Sequence, residues 1–239
     1  MLFKTRGVVF KTVKYSDTSI ITNIYTEQFG LQSYIINGAR SSKSKSNAAL
    51  YQHGNLLDLV VYHKPNGSIF RISESEPTYI YEQLPYNIVK SSLMIFYIEI
   101  LNKTLKEHEN NSPLFDFIFE NLIELDQTDR KLSNHHIWFL LGLSKYLGFF
   151  PATTEGAYFD LREGMFADEI PASGQYLSAP LAAAFRTIIE PELINYDQIV
   201  LPAAERKILL HQLLTYYRLH MSDFGMLNSL IVLEELFGK

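Results

Sequence analysis

The hydrophobic period of this chain changes once, near residue 82, and that change restricts it to an α+β fold in which the sheet comes first. Before 82 the apolar residues fall in short runs at 7–15, 19–26, 31–37, 56–63 and 68–74, rich in Val, Ile, Tyr and Thr and separated by turn residues. In the last run Phe70 and Ile72 alternate with Arg71 and Ser73, which predicts one buried face and one wet face. Phe29-Gly30 ends one connection. Pro65-Asn66-Gly67 is a hairpin signal, because Pro fixes φ and Asn-Gly tolerates positive φ. Five strands in the first eighty residues suit a Greek-key β-barrel of the OB type, with an SH3-like barrel as the competitor on strand count.

From 82 onward the period is helical. Val89, Leu93, Phe96, Ile100 and Thr104 recur at three- and four-residue steps on one face. Ser112-Pro113 predicts a second helix, with Ser112 as N-cap and Pro113 at the first helical position, and Phe115, Phe119 and Leu122 follow on one side. A third helix is expected from Ser133 through Ile137, Leu140, Leu141 and Tyr146, stopped by Gly148 and Pro151. Residues 151–180 carry Gly156, Gly164, Pro171, Gly174 and Pro180 without a helical period, and are expected to form an irregular or short β insert. Helices resume at 180–190, 202–222 and 227–237. The last of these, LNSLIVLEELF, is apolar around most of its circumference and reads as a buried terminal helix, with a docking surface as the alternative. The expected organisation is a barrel domain over 1–80 and a mainly α-helical domain over 81–239.

Charge divides along the same line. Residues 1–80 hold nine Lys and Arg against five Asp and Glu, a balance of +4, while 81–239 hold twelve against twenty-one, a balance of −9, within a net charge of −5. A basic strand-rich half joined to an acidic helical half points to a polyanion held at one end. The candidate contacts are Arg40, Lys43 and Lys45, on a loop of small uncharged residues after the third strand. Cations on such a loop can follow a phosphate backbone without reading its sequence. Lys4, Arg6, Lys11, Lys14 and Arg71 extend the patch. Tyr15, Tyr25 and Tyr34 offer rings for base stacking, but half of a strand's aromatics face inward and the core is the stronger expectation for them.

Several functions are disfavoured. With no cysteine, the chain has no disulfide, thiolate nucleophile or cysteine-held zinc. His135 and His136 are adjacent and diverge by about 100° on a helix, so they do not converge on a metal as i,i+4 ligands do. There is no phosphate-binding Walker-type loop, dinucleotide glycine fingerprint, nucleophile elbow or metalloprotease helix. The carboxylate pairs Glu234-Glu235, Glu190/Glu192 and Asp126/Asp129 are expected on helix or loop surfaces. Charges at positions 4, 6, 11 and 14 interrupt any signal-peptide core, and no apolar run approaches the ~20 residues of a membrane span. A metal-free, non-enzymatic cytosolic protein is the expectation.

In order and spacing, several segments resemble the RecO family of recombinational DNA-repair proteins. They are Thr5-Arg6-Gly7-Val8-Val9, Tyr15-Ser16-Asp17-Thr18-Ser19, Tyr25-Thr26-Glu27 with Phe29-Gly30, and Asn37-Gly38-Ala39-Arg40 opening the basic loop. In the helical part, Tyr97-Ile98-Glu99-Ile100-Leu101, Ser112-Pro113-Leu114-Phe115 and Leu147-Gly148-Phe149 with Pro151 extend the likeness. The resemblance implies an N-terminal OB barrel followed by a helical domain. It also implies binding of single- and double-stranded DNA, annealing of complementary strands and, with the RecR protein, help to the RecA recombinase in replacing single-strand-binding protein. Many members hold zinc through four cysteines in the region matching 151–180. Here that region reads YFDLREGMFADEIPASGQYLS over its central part and holds none, so packing through Tyr158, Phe159, Phe166 and Tyr176 is expected instead. Beside this mediator reading stand an adaptor whose barrel binds only protein, and an enzyme with a site no motif reveals.

Overall fold

The computed structural model describes residues 1–39, 45–64, 67–106, 110–189 and 196–237. Its first five strands are β1 (Leu2–Lys14), β2 (Ile20–Thr26), β3 (Gly30–Ile36), β4 (Leu56–Tyr62) and β5 (Phe70–Tyr79), with a short helix α1 (Lys45–Leu50) between β3 and β4. They close into a barrel in the order β1-β2-β3-β5-β4. All neighbours are antiparallel except β3 and β5, whose parallel pairing rests on Tyr34 with Phe70 and Ile35 with Arg71. That order, with a helix between the third and fourth strands, is of the OB type and decides against the SH3-like competitor.

β1 begins five residues before its expected start and serves two partners. Residues 2–8 pair with β4 and residues 7–14 with β2, with a bulge between Val9 and Lys11. The inward residues include Val9, Ile24, Tyr34, Leu57, Leu59 and Val61, all buried. Gly7 is required on space alone, since a Cβ there would lie 2.6 Å from Ile24 Cγ2 and 2.9 Å from Leu59 Cδ1. Pro65 and Asn66 of the hairpin signal lie outside the described residues, as do Glu190 and Glu192.

The helices follow as α2 (Ile88–Thr104), α3 (Ser112–Gln127) and α4 (His135–Tyr146). Asn111, not Ser112, caps α3, its side chain accepting from the Leu114 N–H at 3.1 Å. An amide oxygen one residue upstream displaced the serine signal. α4 ends as its glycine predicts: Gly148 takes φ +84°, and the Phe149 N–H reaches back to the Ser144 carbonyl at 3.0 Å. By its contacts the chain divides after Thr128, into Met1–Thr128 and Asp129–Lys239. Helices α2 and α3 therefore group with the barrel, and the change of period at 82 marks the end of the sheet rather than the edge of a compact unit.

Within the second unit the 151–180 insert is a small sheet in the order β7-β6-β8, built from β6 (Tyr158–Asp160), β7 (Met165–Ala167) and β8 (Tyr176–Leu177). Phe159 packs edge-on against Phe166 at 5.0 Å and Phe185 at 4.9 Å, and Tyr158 meets Tyr176 at 5.8 Å. Phe185 lies on α5 (Ala179–Ile189), whose Arg186 sits 3.8 Å over the Phe166 ring and donates to the Thr154 and Gly156 carbonyls. The remaining helices are α6 (Ala203–His220) and α7 (Leu230–Phe237). α7 is less buried than its composition suggests: Leu233 is its one buried residue, while Ile231 and Val232 are exposed. Glu234 holds it to α6 by pairing with Lys207 at 3.0 Å and His211 at 2.6 Å. Among the described residues no helix is long and apolar enough to cross a membrane.

Candidate nucleic-acid interface

The barrel's surface is not uniform, because α2 and α3 cover part of it. Outward-facing Phe10 of β1 stacks on Tyr25 of β2 at 5.6 Å, and Tyr25 on Phe115 of α3 at 6.1 Å. Asn102 of α2 donates to the Phe10 carbonyl at 3.1 Å. Tyr25 is thus buried under helix, and Tyr34 is fully buried inside the barrel, so neither can stack a base. Tyr15 is exposed at the end of β1.

Arg6 belongs to this covered side. Its guanidinium donates twice to the Glu27 carboxylate and once to Asp116, each at 2.9 Å, and lies about 5 Å over the rings of Phe115 and Phe119. Its hydrogen bonds hold the Glu27 carboxyl below its ordinary pKa, against the burial that raises it. With two carboxylates already on it, Arg6 ties β1 to α3 and is not free for phosphate.

Asp126 was expected on a surface and is 1% exposed. It accepts from the Tyr79 hydroxyl at 2.9 Å and from the N–H groups of Glu82, Gln83 and Leu84 at 3.0, 2.9 and 2.6 Å. Burial pushes its pKa up, but those four donors outweigh burial and leave it below the usual carboxylate value. Beside it the buried Lys90 ammonium donates to the Gln83 side chain and to the carbonyls of Asp126 and Thr128 at 2.7–2.8 Å. Nothing in the spacing of residues 79, 90 and 126 announces this cluster.

The uncovered side of the barrel carries the free cations. Lys11, Lys14 and Arg71 are exposed. Register links their strands across the outer surface: Tyr62 of β4 pairs with Arg71, Arg71 with Ile35, Ile35 with Ile21, and Ile21 with Val13, which lies between Lys11 and Lys14 in sequence. Arg40 and Lys43 lie outside the described residues, and Lys45 is described only as the first residue of α1. At the Tyr62 end is a recess of about 440 Å³ lined by Tyr62, Lys64, Gly67, Ile69, Phe70 and Arg71. A neighbouring groove carries Lys4 among the acids Asp58, Glu74 and Glu76, so Lys4 and the adjoining strand surface are electrostatically unsuited to phosphate. Tyr62 and Lys64 escaped the sequence reading. Parity would have found the tyrosine, since Leu57, Leu59 and Val61 point inward and residue 62 must point out.

The histidines take packing positions. His135 and His136 are buried, His135 against Trp138 and Tyr196 and His136 against Phe237. Burial lowers both to a pKa of about 3, and for His136 the charges of Arg206 and His135 add to it, so both are neutral near pH 7. Among the described residues no three His, Asp or Glu side chains gather as a metal site would require.

Comparison with known proteins covers almost the whole chain. Residues 1–81 match the family model described as Recombination protein O N terminal, and residues 85–226 match Recombination protein O C terminal. A DNA repair protein RecO from Phocaeicola vulgatus is 35% identical over 241 residues, with all of each chain covered. Proteins of the same name from Bacteroides fragilis and Flavobacterium psychrophilum are each 34% identical, covering 99% and 100% of this chain and all of their own.

Proposed function

The chain belongs to the RecO family, whose role is DNA repair and recombination, and from that premise we propose that it is a non-enzymatic mediator that binds DNA on its barrel and anneals complementary strands. In this reading it works in the cytoplasm at the nucleoid, on single- and double-stranded DNA. With the RecR protein it helps the RecA recombinase displace single-strand-binding protein. The observation that carries the reading is an OB-type barrel on which Lys11, Lys14 and Arg71 stand exposed, in a chain whose candidate loop of Arg40, Lys43 and Lys45 follows the third strand in sequence. A basic surface that holds two phosphate backbones screens their repulsion and raises their effective concentration. No bond is broken in that scheme, so no acid, base, nucleophile or nucleotide cofactor is needed.

The test is fluorescence-quench annealing of labelled oligonucleotides, bare and coated with single-strand-binding protein, with and without ATP. Annealing faster than the protein-free control and indifferent to ATP is expected. Rates equal to the control would abandon the mediator reading for a protein-binding adaptor. Affinity for single strands should fall with salt, each phosphate contact contributing a slope of roughly −0.7 in log K against log salt. Replacing Arg40, Lys43 and Lys45 together by alanine should flatten that slope by up to about 2.

A further inference from the structure

We propose that the recess beside Tyr62 is a subsite for one unpaired nucleotide, with the Tyr62 ring as the stacking surface and Lys64 and Arg71 as phosphate contacts. It rests on the nucleic-acid-binding reading above and refines where, and in which strand form, the barrel reads its ligand. Tyr62 is 47% exposed on the outer face of β4, although the strand's inward residues Leu57, Leu59 and Val61 are at most 2% exposed. The ring is therefore held by a rigid strand yet presents its surface to solvent. Among the described residues neither the Lys64 ammonium nor the Arg71 guanidinium has an ion pair or hydrogen bond, unlike Arg6, which has two carboxylates. Phe70 and Ile69 supply an apolar wall, and a volume of about 440 Å³ lies within the range of small-ligand sites.

Two uncompensated cations around one exposed ring match a base with its flanking phosphates better than an apolar protein side chain. Aromatic stacking needs a base face, which a duplex keeps inside its own stack, so the subsite selects unpaired nucleotides. The acids fix the direction of the strand. Asp58, Glu74 and Glu76 repel phosphate from the β1–β4–β5 groove. The free path runs the other way, from Tyr62 and Arg71 past Ile35 and Ile21 to Val13 between Lys11 and Lys14. Four inter-strand steps of about 4.8 Å make that path roughly 19 Å long.

The experiment is anisotropy titration of the full chain with a labelled oligothymidine and with a duplex of equal length. The variants are Tyr62→Ala, Tyr62→Phe and the double variant Lys64→Ala/Arg71→Ala. Tyr62→Ala should weaken single-strand binding about 5- to 150-fold, the loss expected for one stacked base. Duplex binding should not change, and Tyr62→Phe should keep the single-strand affinity. The double variant should reduce the single-strand salt slope by about 1.4, two contacts at 0.7 each. All three positions are exposed, so the double variant carries the test even if Tyr62→Ala lowers the melting temperature. If the wild type binds and the variants bind equally well, the subsite falls, the recess passes to a protein partner and the DNA-binding reading stands. Equal losses for single strand and duplex overturn the selection of unpaired bases. A wild type that binds neither probe overturns both the subsite and the reading beneath it.

Discussion

Arg6 and Arg71 show how one residue type in one barrel is given two tasks by its surroundings. Arg71 stands at the rim of a recess with no ion pair or hydrogen bond among the described residues, whereas Arg6 is shared between Glu27 and Asp116 and lies over two phenylalanine rings. Arg6→Ala should therefore cost stability, not DNA affinity. Loss of a charge-assisted contact to Glu27 amounts to roughly 1.5–3 kcal/mol, moderated here by partial exposure. Chemical denaturation should register a loss of about 1–3 kcal/mol, while the salt dependence of oligonucleotide binding stays at the wild-type slope. A changed slope with unchanged stability would return Arg6 to the DNA-facing surface. Asp126 offers a second test, through pH. Its folded pKa lies below the ordinary value of about 3.9, so its contribution is complete above that value and is lost as pH falls through the folded pKa. Asp126→Asn should reduce stability at neutral pH by about 1–3 kcal/mol, because a carboxamide offers one acceptor oxygen where two now serve four donors. The gap between wild type and variant should stay constant from pH 7 to about 5 and close below about 4; a gap that widens on acidification would contradict the assigned sign.

At the scale of elements, what the sequence made legible was periodicity, and what it concealed was partnership. Short runs rich in Val, Ile, Tyr and Thr between turn residues located β2, β3 and β4 to within a residue, and the helical stripe through Val89, Phe96 and Ile100 located α2. The start of β1 was missed because Leu2, Phe3 and Lys4 pair with β4, a partner some sixty residues away that no local pattern registers. The N-cap of α3 slipped from Ser112 to Asn111 because two good capping residues stand side by side. Composition misjudged α7 for a different reason. Ile231 and Val232 are apolar enough for a core, but a short helix has one inward stripe, and Leu233 occupies it. For the candidate interface, the lysines and Arg71 were readable as charge, whereas the task of Arg6 depended on Asp116, 110 residues away. Tyr34 had the right chemistry for stacking and the wrong side of the sheet, a matter of register that a lone strand does not reveal, while Tyr25 faces outward and is covered by Phe115 of α3, ninety residues on.

For the whole molecule, the division after Thr128 has a practical meaning. A fragment cut after residue 81 would bare the outer Phe10 and Tyr25 rings and remove Asp116 and Asp126, leaving Arg6 with Glu27 alone and the Tyr79 hydroxyl without the carboxylate it donates to. Fragment 1–128 keeps all of these. It should unfold cooperatively in denaturant, whereas fragment 1–81 should give a broad transition or aggregate; equal cooperativity in the two would show that α2 and α3 are dispensable to the barrel. The two-sided pairing of β1 also sets an order in time. Its second half finds β2 within a few residues of chain, but its first half needs β4, and Arg6 needs an aspartate 110 residues further on. Long-range closures of this kind are slow, since the chain must give up much of its freedom before any contact repays it. During synthesis the first half of β1 therefore waits as an open edge until β4, which ends at residue 62 of 239, has been made. Until then its backbone N–H and C=O groups on that side are offered to any neighbouring chain.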